Sequence, residues 1–320
     1  MNKYIGNTMQ LYGVQPLRLE GGKGDGMRML YVKNGKGLEF WISLDRCADI
    51  TLLSLKGENF SFISPCGYVS PAYYDDKGAG FLKSFTAGFF TTCGLTAVGS
   101  PCVDDGEELP LHGTISNTPC ESFSYKIENG NIYINATIPD ARVFSHKLVL
   151  EREYVVSLSE NKISLTDKVK NIGSKVSPFE ILYHCNMGYP LLCEECELDI
   201  PSIEVKGRNE HATSGLDTCL KVESPQKDYE EMCFYHKFDG IANVKMYNPK
   251  MQKGLKLSFD TNELKCFTQW KMMGEGDYVM GLEPGNCTPD GRDVMRKTGM
   301  LEFINPGEEK KHTLNFEFIG

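Results

Sequence analysis

The sequence predicts an all-β protein, and three observations lead there. Short segments with apolar residues at alternate positions recur along nearly the whole chain. Gly, Asn, Asp and Pro punctuate them at close intervals. No strand–helix alternation is present, which excludes a doubly wound nucleotide-binding fold. Many short strands with tight turns describe an antiparallel sandwich or barrel.

Residues 38–44 are apolar or alternating and end at the polar pair Asp45-Arg46. Residues 131–138 alternate at period two behind the turn signal Glu128-Asn129-Gly130. Residues 147–158 and 161–169 are long strand candidates joined by a hairpin turn at Ser159-Glu160-Asn161. A second turn follows at Asn171-Ile172-Gly173-Ser174. Further strands are expected at 241–247, 254–260, 264–271, 278–283, 299–305 and 311–318. Helical signal is thin. Residues 78–92 are too rich in Gly and Phe for a long helix, and 223–234 is expected to hold a short turn or 3-10 piece. The run from Gly21 to Gly26 lacks the Gly-Lys-Ser/Thr ending of a phosphate loop and reads as a flexible hairpin loop. No linker or internal repeat divides the chain, so one domain over residues 1–320 is expected.

The formal net charge of -9 disfavours nucleic acid and anionic membrane as partners, because both select a basic face. No apolar run is long enough to form a spanning helix. The start, Met-Asn-Lys-Tyr-Ile-Gly-Asn-Thr, lacks a signal-peptide pattern, and the expected compartment is the cytoplasm. Twelve scattered cysteines suit a reducing compartment, where they act as small hydrophobes. Cys193 and Cys196 form the one close pair. They lack the second pair of a zinc site, so no metal is expected.

Three separated stretches place an ionisable group beside a turn signal: Leu111-His112-Gly113, Tyr183-His184-Cys185-Asn186-Met187-Gly188 and Leu282-Glu283-Pro284-Gly285-Asn286. Two imidazoles and a carboxyl can divide a proton-transfer task when their surroundings push their pKa values apart. His146, His211, His236 and His312 have no such context and read as structural or surface residues.

Six stretches recur together in order: Asp45-Arg46-Cys-Ala-Asp49-Ile50, Phe89-Phe-Thr-Thr-Cys-Gly-Leu95, Leu111-His112-Gly113-Thr-Ile-Ser116, Tyr183-His184-Cys-Asn186-Met-Gly188, Leu282-Glu283-Pro-Gly-Asn286 and Asn305-Pro-Gly-Glu308. With them the chain resembles an aldose 1-epimerase-like family of unknown function in the galactose mutarotase-like superfamily. The resemblance implies a large antiparallel β-supersandwich and an isomerase acting on a small-molecule sugar. By it, Glu283 takes the proton from the anomeric hydroxyl, His184 gives one to the ring oxygen, and His112 binds and polarises the sugar near that oxygen. It also implies that Arg46 and Asp49 belong to a sugar-binding face; the alternative is an internal ion pair closing a hairpin. Asn186 and Gln269 offer amides suited to vicinal hydroxyls, and Trp270 offers either an apolar platform or a core side chain. Moving two protons requires no cofactor. The Asn-Arg-Ile motif that precedes the first histidine of galactose mutarotases is absent, so galactose is not carried over as substrate. A carbohydrate-binding protein without turnover, or a different sugar epimerase or isomerase, would use the same residues. The oligomeric state is not readable.

Overall fold

The computed structural model describes residues 3–320. It is 50% strand and 9% helix, an all-β fold with large antiparallel sheets. A five-stranded meander runs through Gly13–Arg18, Arg28–Lys33, Leu38–Ser43, Asp49–Leu55 and Glu58–Asn59. An eight-stranded sheet has the order Ser122–Glu128, Asn131–Ala141, Lys147–Ser157, Lys162–Asn171, Glu309–Ile319, Lys253–Asp260, Ile241–Asn248 and Glu197–Asp199. A third sheet runs Glu204–Gly207, Met232–Lys237, Cys266–Met273, Tyr278–Gly285, Ser177–Met187 and Glu302–Ile304, with Phe90–Leu95 also paired to Ser177–Met187.

Alternation builds these strands. In Asn131–Ala141, Ile132, Ile134, Ala136 and Ile138 point inward and their neighbours do not. The eight-stranded sheet meets the third sheet through aromatic contacts such as Phe90–Phe316 and Phe259–Phe267. One apolar cluster reaches from Val14 to Phe318 and draws on all three sheets.

Two expected strands change their bounds. The strand expected at 299–305 shrinks to Glu302–Ile304, because an unexpected helix, Arg292–Lys297, runs almost up to Gly299 with its φ of 72°. The strand expected at 264–271 is Cys266–Met273. As expected, residues 78–92 form no long helix; they divide into a 3-10 turn, Gly80–Lys83, and two strands, Ala87–Gly88 and Phe90–Leu95. The short turn expected in 223–234 is present at Lys227-Asp228, where Asp228 takes a left-handed φ of 53°, and helical turns lie earlier, at Glu210–Ser214 and Leu216–Thr218. The pair Cys193 and Cys196 is buried, with Cys193 Sγ accepting from Asn248 and the Cys196 thiol donating to Leu191 O.

The most demanding core residue is Arg152, which occupies an inward position between Leu150 and Tyr154. Its Nε and Nη2 hold both oxygens of Asp167 at 2.8 and 2.6 Å. Its Nη1 reaches Asp49 and Cys47 O, and its Nη2 reaches Thr92 Oγ1. Asp49 accepts from Thr92 N at 2.8 Å and Thr92 Oγ1 at 2.6 Å, while Tyr183 Oη donates to Asp167 at 2.8 Å. The guanidinium thereby ties the meander, the eight-stranded sheet and the third sheet together. Cys47 and Ala48 take left-handed φ values of 53° and 52°, and both carbonyls are held, Cys47 O by Arg152 and Ala48 O by Tyr154 Oη.

Removing one member of a buried ionic cluster strands the others. Arg152→Ala is expected to lower unfolding free energy by about 3–5 kcal/mol, read from urea denaturation monitored by circular dichroism.

Candidate active site

Five neighbouring strands or strand ends of the third sheet each contribute one residue to a row. Cys185 pairs with Leu282, so His184 and Glu283 stand side by side on adjacent strands. Trp270 pairs with Gly281 and with Cys233, and Arg208 N donates to Cys233 O at 2.9 Å. The row His184, Glu283, Trp270, Cys233, Arg208 floors a cavity of about 190 Å³, walled by Phe81, Phe85, Leu111 and His112. Drug-sized sites measure roughly 300–1,000 Å³, so this one suits a small ligand.

His112 enters from a loop. Its φ of 59° is left-handed, and Gly113 follows at 70° with no room for a Cβ beside Gly94 O. His112 N donates to Gly99 O at 2.9 Å, and Leu111 N to Gly78 O. The loop carrying Gly99 is itself held by Glu180 Oε2, which accepts from Val98 N at 2.8 Å. The two imidazole centroids are 5.5 Å apart; His184 also lies edge-on to Trp270 at 5.0 Å and to Phe85 at 5.4 Å.

His184 Nδ1 stands 3.3 Å from Glu283 Oε1. Both groups are buried, and burial decides their charge. It raises the Glu283 carboxyl well above the ordinary range, with Glu231 adding and Arg208 opposing. It lowers His184 to about 4 against the pull of its Asn186 hydrogen bond. It also lowers His112, helped by His184 and Arg208. Burial therefore favours the uncharged form of each partner in the His184–Glu283 contact. Glu283 Oε1 and His112 Nδ1 are buried without a hydrogen-bond partner.

The structure unites His112, His184, Glu283 and Trp270 and separates the other four expected site residues. Asp49 is not at the cavity: both of its oxygens are used within the Arg152 network. Arg46 is buried, donates to Val69 O at 2.9 Å, and also does not line it; burial lowers its pKa to about 10. Gln269 neighbours Trp270 in sequence, so the strand's alternation turns it to the opposite face, where it bonds His236 and Cys219 O. Asn186 lies behind His184, with its amide spent on that residue's ring and carbonyl. These four assignments to ligand contact are corrected accordingly.

Arg208, Glu231, Ser100, Phe81 and Phe85 were not singled out by the sequence. Arg208 donates to Asp290 at 3.2 Å and to Ser100 Oγ at 2.8 Å, and Tyr235 Oη shares Asp290 at 2.7 Å. Glu231 accepts from Trp270 Nε1 at 2.6 Å. Ser100 and Arg208 do sit beside turn signals, Gly99-Ser100-Pro101 and Gly207-Arg208-Asn209, which could have marked them; Glu231 and Phe85 carry none. Among the described residues no group of three or more His, Cys, Asp or Glu is placed to hold a metal ion.

Gly281 clears space for the carboxyl. A Cβ there would overlap Glu283 Oε1 and approach Trp270 Cβ to 2.8 Å. Gly281→Ala is expected to cost about 1–3 kcal/mol in thermal unfolding, and less when Glu283 is already Ala, as a double-mutant cycle measures. Glu180 gives a pH signature. Burial raises its carboxyl to about 7, so the folded state holds the proton more tightly than the unfolded chain does. Stability must then fall as pH rises from the ordinary carboxylate range through 7. Glu180→Gln keeps an acceptor for Val98 and should remove up to about 3 kcal/mol of that loss, seen by comparing denaturation of both proteins at pH 5 and 8.

Residues 24–318 match the model of the family described as "Domain of unknown function (DUF4432)". No curated protein matches the chain. Among solved structures, a "putative aldose 1-epimerase" from Klebsiella pneumoniae is similar at 26% identity and TM-score 0.91, over 98% of this chain and 86% of that one. A galactose mutarotase-like protein from Clostridium acetobutylicum is similar at 14% identity and TM-score 0.71, over 97% and 99%. Galactose 1-epimerase from Lactobacillus acidophilus is similar at 14% and 0.64, over 96% and 98%. The chain belongs to the DUF4432 family and has the galactose mutarotase-like β-sandwich fold.

Proposed function

We propose that the protein is a mutarotase that interconverts the anomers of a free monosaccharide by acid–base ring opening. The observation that carries this reading is the contact of Glu283 with His184 at 3.3 Å, with His112 beside them, in a small cavity walled by aromatic rings. Opening a hemiacetal removes a proton from the anomeric hydroxyl, breaks the bond from the anomeric carbon to the ring oxygen, and adds a proton to that oxygen. One acceptor and one donor in reach of one ligand suffice. The Glu283–His184 pair supplies both in either of two arrangements with the same proton count, carboxylate with imidazolium or carboxyl with neutral imidazole. Closure after rotation of the aldehyde reverses the transfers and restores the pair. Trp270 and Phe85 supply apolar surface for a sugar face, and His112 supplies a hydrogen-bonding group near the ring oxygen. The DUF4432 fold and the names of the similar structures support the reading.

The test is to follow anomer exchange of freshly dissolved single-anomer sugars by proton NMR or polarimetry. The wild type is expected to accelerate exchange for at least one neutral monosaccharide. Glu283→Gln and His184→Asn should each lower kcat by about 10²-fold or more with little change in affinity, while His112→Asn should weaken both. A wild type that binds sugars without accelerating exchange would mark a binding protein instead.

A further inference from the structure

We propose that Asn186 is a positioning residue that keeps the His184 ring proton on Nδ1, so that His184 meets its ligand as a proton acceptor at Nε2 and Glu283 as the proton donor. The assignment of these roles rests on the function proposed above; the placement of the proton does not. It reverses the carboxylate-base, histidine-acid division that the family resemblance implies.

The argument begins with the amide. His184 and Asn186 are two residues apart in Ser177–Met187, so both side chains stand on one face of the strand. Asn186 is fully buried. Its Nδ2 donates to His184 O at 2.7 Å, and its Oδ1 lies 2.6 Å from His184 Nδ1. Rotating the amide by half a turn would set Oδ1 against a carbonyl oxygen, two acceptors facing each other. Oδ1 therefore faces the ring, and an amide oxygen only accepts, so the proton of the neutral imidazole sits on Nδ1. A second acceptor, Glu283 Oε1, stands at 3.3 Å from the same nitrogen. Nε2 is left with a lone pair as the ring atom free for a ligand.

The charged and titratable groups around the ring agree. Glu283 faces it from Tyr278–Gly285, and His112 faces it from the Leu111–Gly113 loop. Phe85 and Trp270 stand edge-on to it, with ring centroids at 5.4 and 5.0 Å. Arg208 and Glu231 act on Glu283 from further along the sheet, with opposite signs. Burial favours the uncharged forms of both partners, carboxyl and imidazole. In ring opening, Nε2 takes the anomeric hydroxyl proton as the Glu283 carboxyl protonates the ring oxygen. The bond between that oxygen and the anomeric carbon breaks, and imidazolium and carboxylate remain until closure reverses both transfers.

The test has two arms. Nitrogen-15 NMR of histidine-labelled protein without sugar, with His184 assigned through loss of its signals in His184→Asn, is expected to show Nδ1 protonated and Nε2 unprotonated from pH 8 down to about 5. A proton on Nε2 in this range, as the other tautomer or as imidazolium, overturns the proposal. In the second arm, Asn186→Asp puts a carboxylate where the amide oxygen stood. The His184 titration and the acidic limb of kcat/KM are expected to move up together by about one pH unit or more; an unmoved profile in a folded variant overturns the positioning role. The first arm needs no turnover. Nδ1 protonation without anomer exchange would retire the mutarotase reading, and with it the acceptor role, while leaving the placement of the proton by Asn186 intact. Exchange with Nε2 protonated would do the reverse.

Discussion

The structure depends on one buried cation. Arg152 brings a guanidinium into the core, and the fold surrounds it with Asp167, Asp49, Thr92 and Cys47 O so that each donor direction is used. Taking these charges out of water is costly, and the cost is recovered only if all partners arrive together. The cluster therefore acts as a register pin. It joins the turn after Leu38–Ser43, the Phe90–Leu95 strand and the inner face of the eight-stranded sheet in one arrangement. Tyr183, which donates to Asp167, immediately precedes His184 in the chain. The polar pin and the candidate catalytic imidazole thus sit on opposite faces of one strand, one residue apart.

The cavity obeys the same electrostatics with the opposite outcome. Around Arg152, charge is retained because donors and acceptors match. Around Glu283 they do not: Oε1 has no hydrogen-bond partner, and the nearest ring nitrogen is held by Asn186. Desolvation then favours the neutral carboxyl. Burial thus favours the uncharged form of each group in the Glu283–His184 contact.

Arg208 bridges the two regimes. It lies at the cavity edge, anchored by Asp290 and Ser100, and its charge opposes that of Glu231 in setting Glu283. Glu231 in turn fixes the indole of Trp270. The polar residues at the rim thus set the geometry and the field of the inner ones.

Much was legible in the sequence. Period-two alternation located most long strands because half-buried strands must alternate, and the His112, His184 and Glu283 stretches stood out by the Gly and Pro beside them, although only His112 sits in a turn while His184 and Glu283 lie within strands. The positions where reading failed have physical causes. Arg152 was hidden because a charge at an inward strand position looks like an outward one until its partners, distant in sequence, are in place. Gln269 was assigned to a ligand because its amide fits hydroxyls and Asp49 because the family resemblance places it on the binding face, yet one faces away by a one-residue alternation and the other is consumed by Arg152. The helix Arg292–Lys297 was missed because Arg292 and Arg296 anchor it to Asp104, 188 and 192 residues earlier in the chain. What the sequence by itself determined is the set of strands and the kinds of group available for proton transfer, since periodicity and side-chain chemistry are local. The tertiary structure alone decided which of those groups meet, which face the cavity and which carry a proton, because register, burial and hydrogen-bond partners are set by contacts between distant segments.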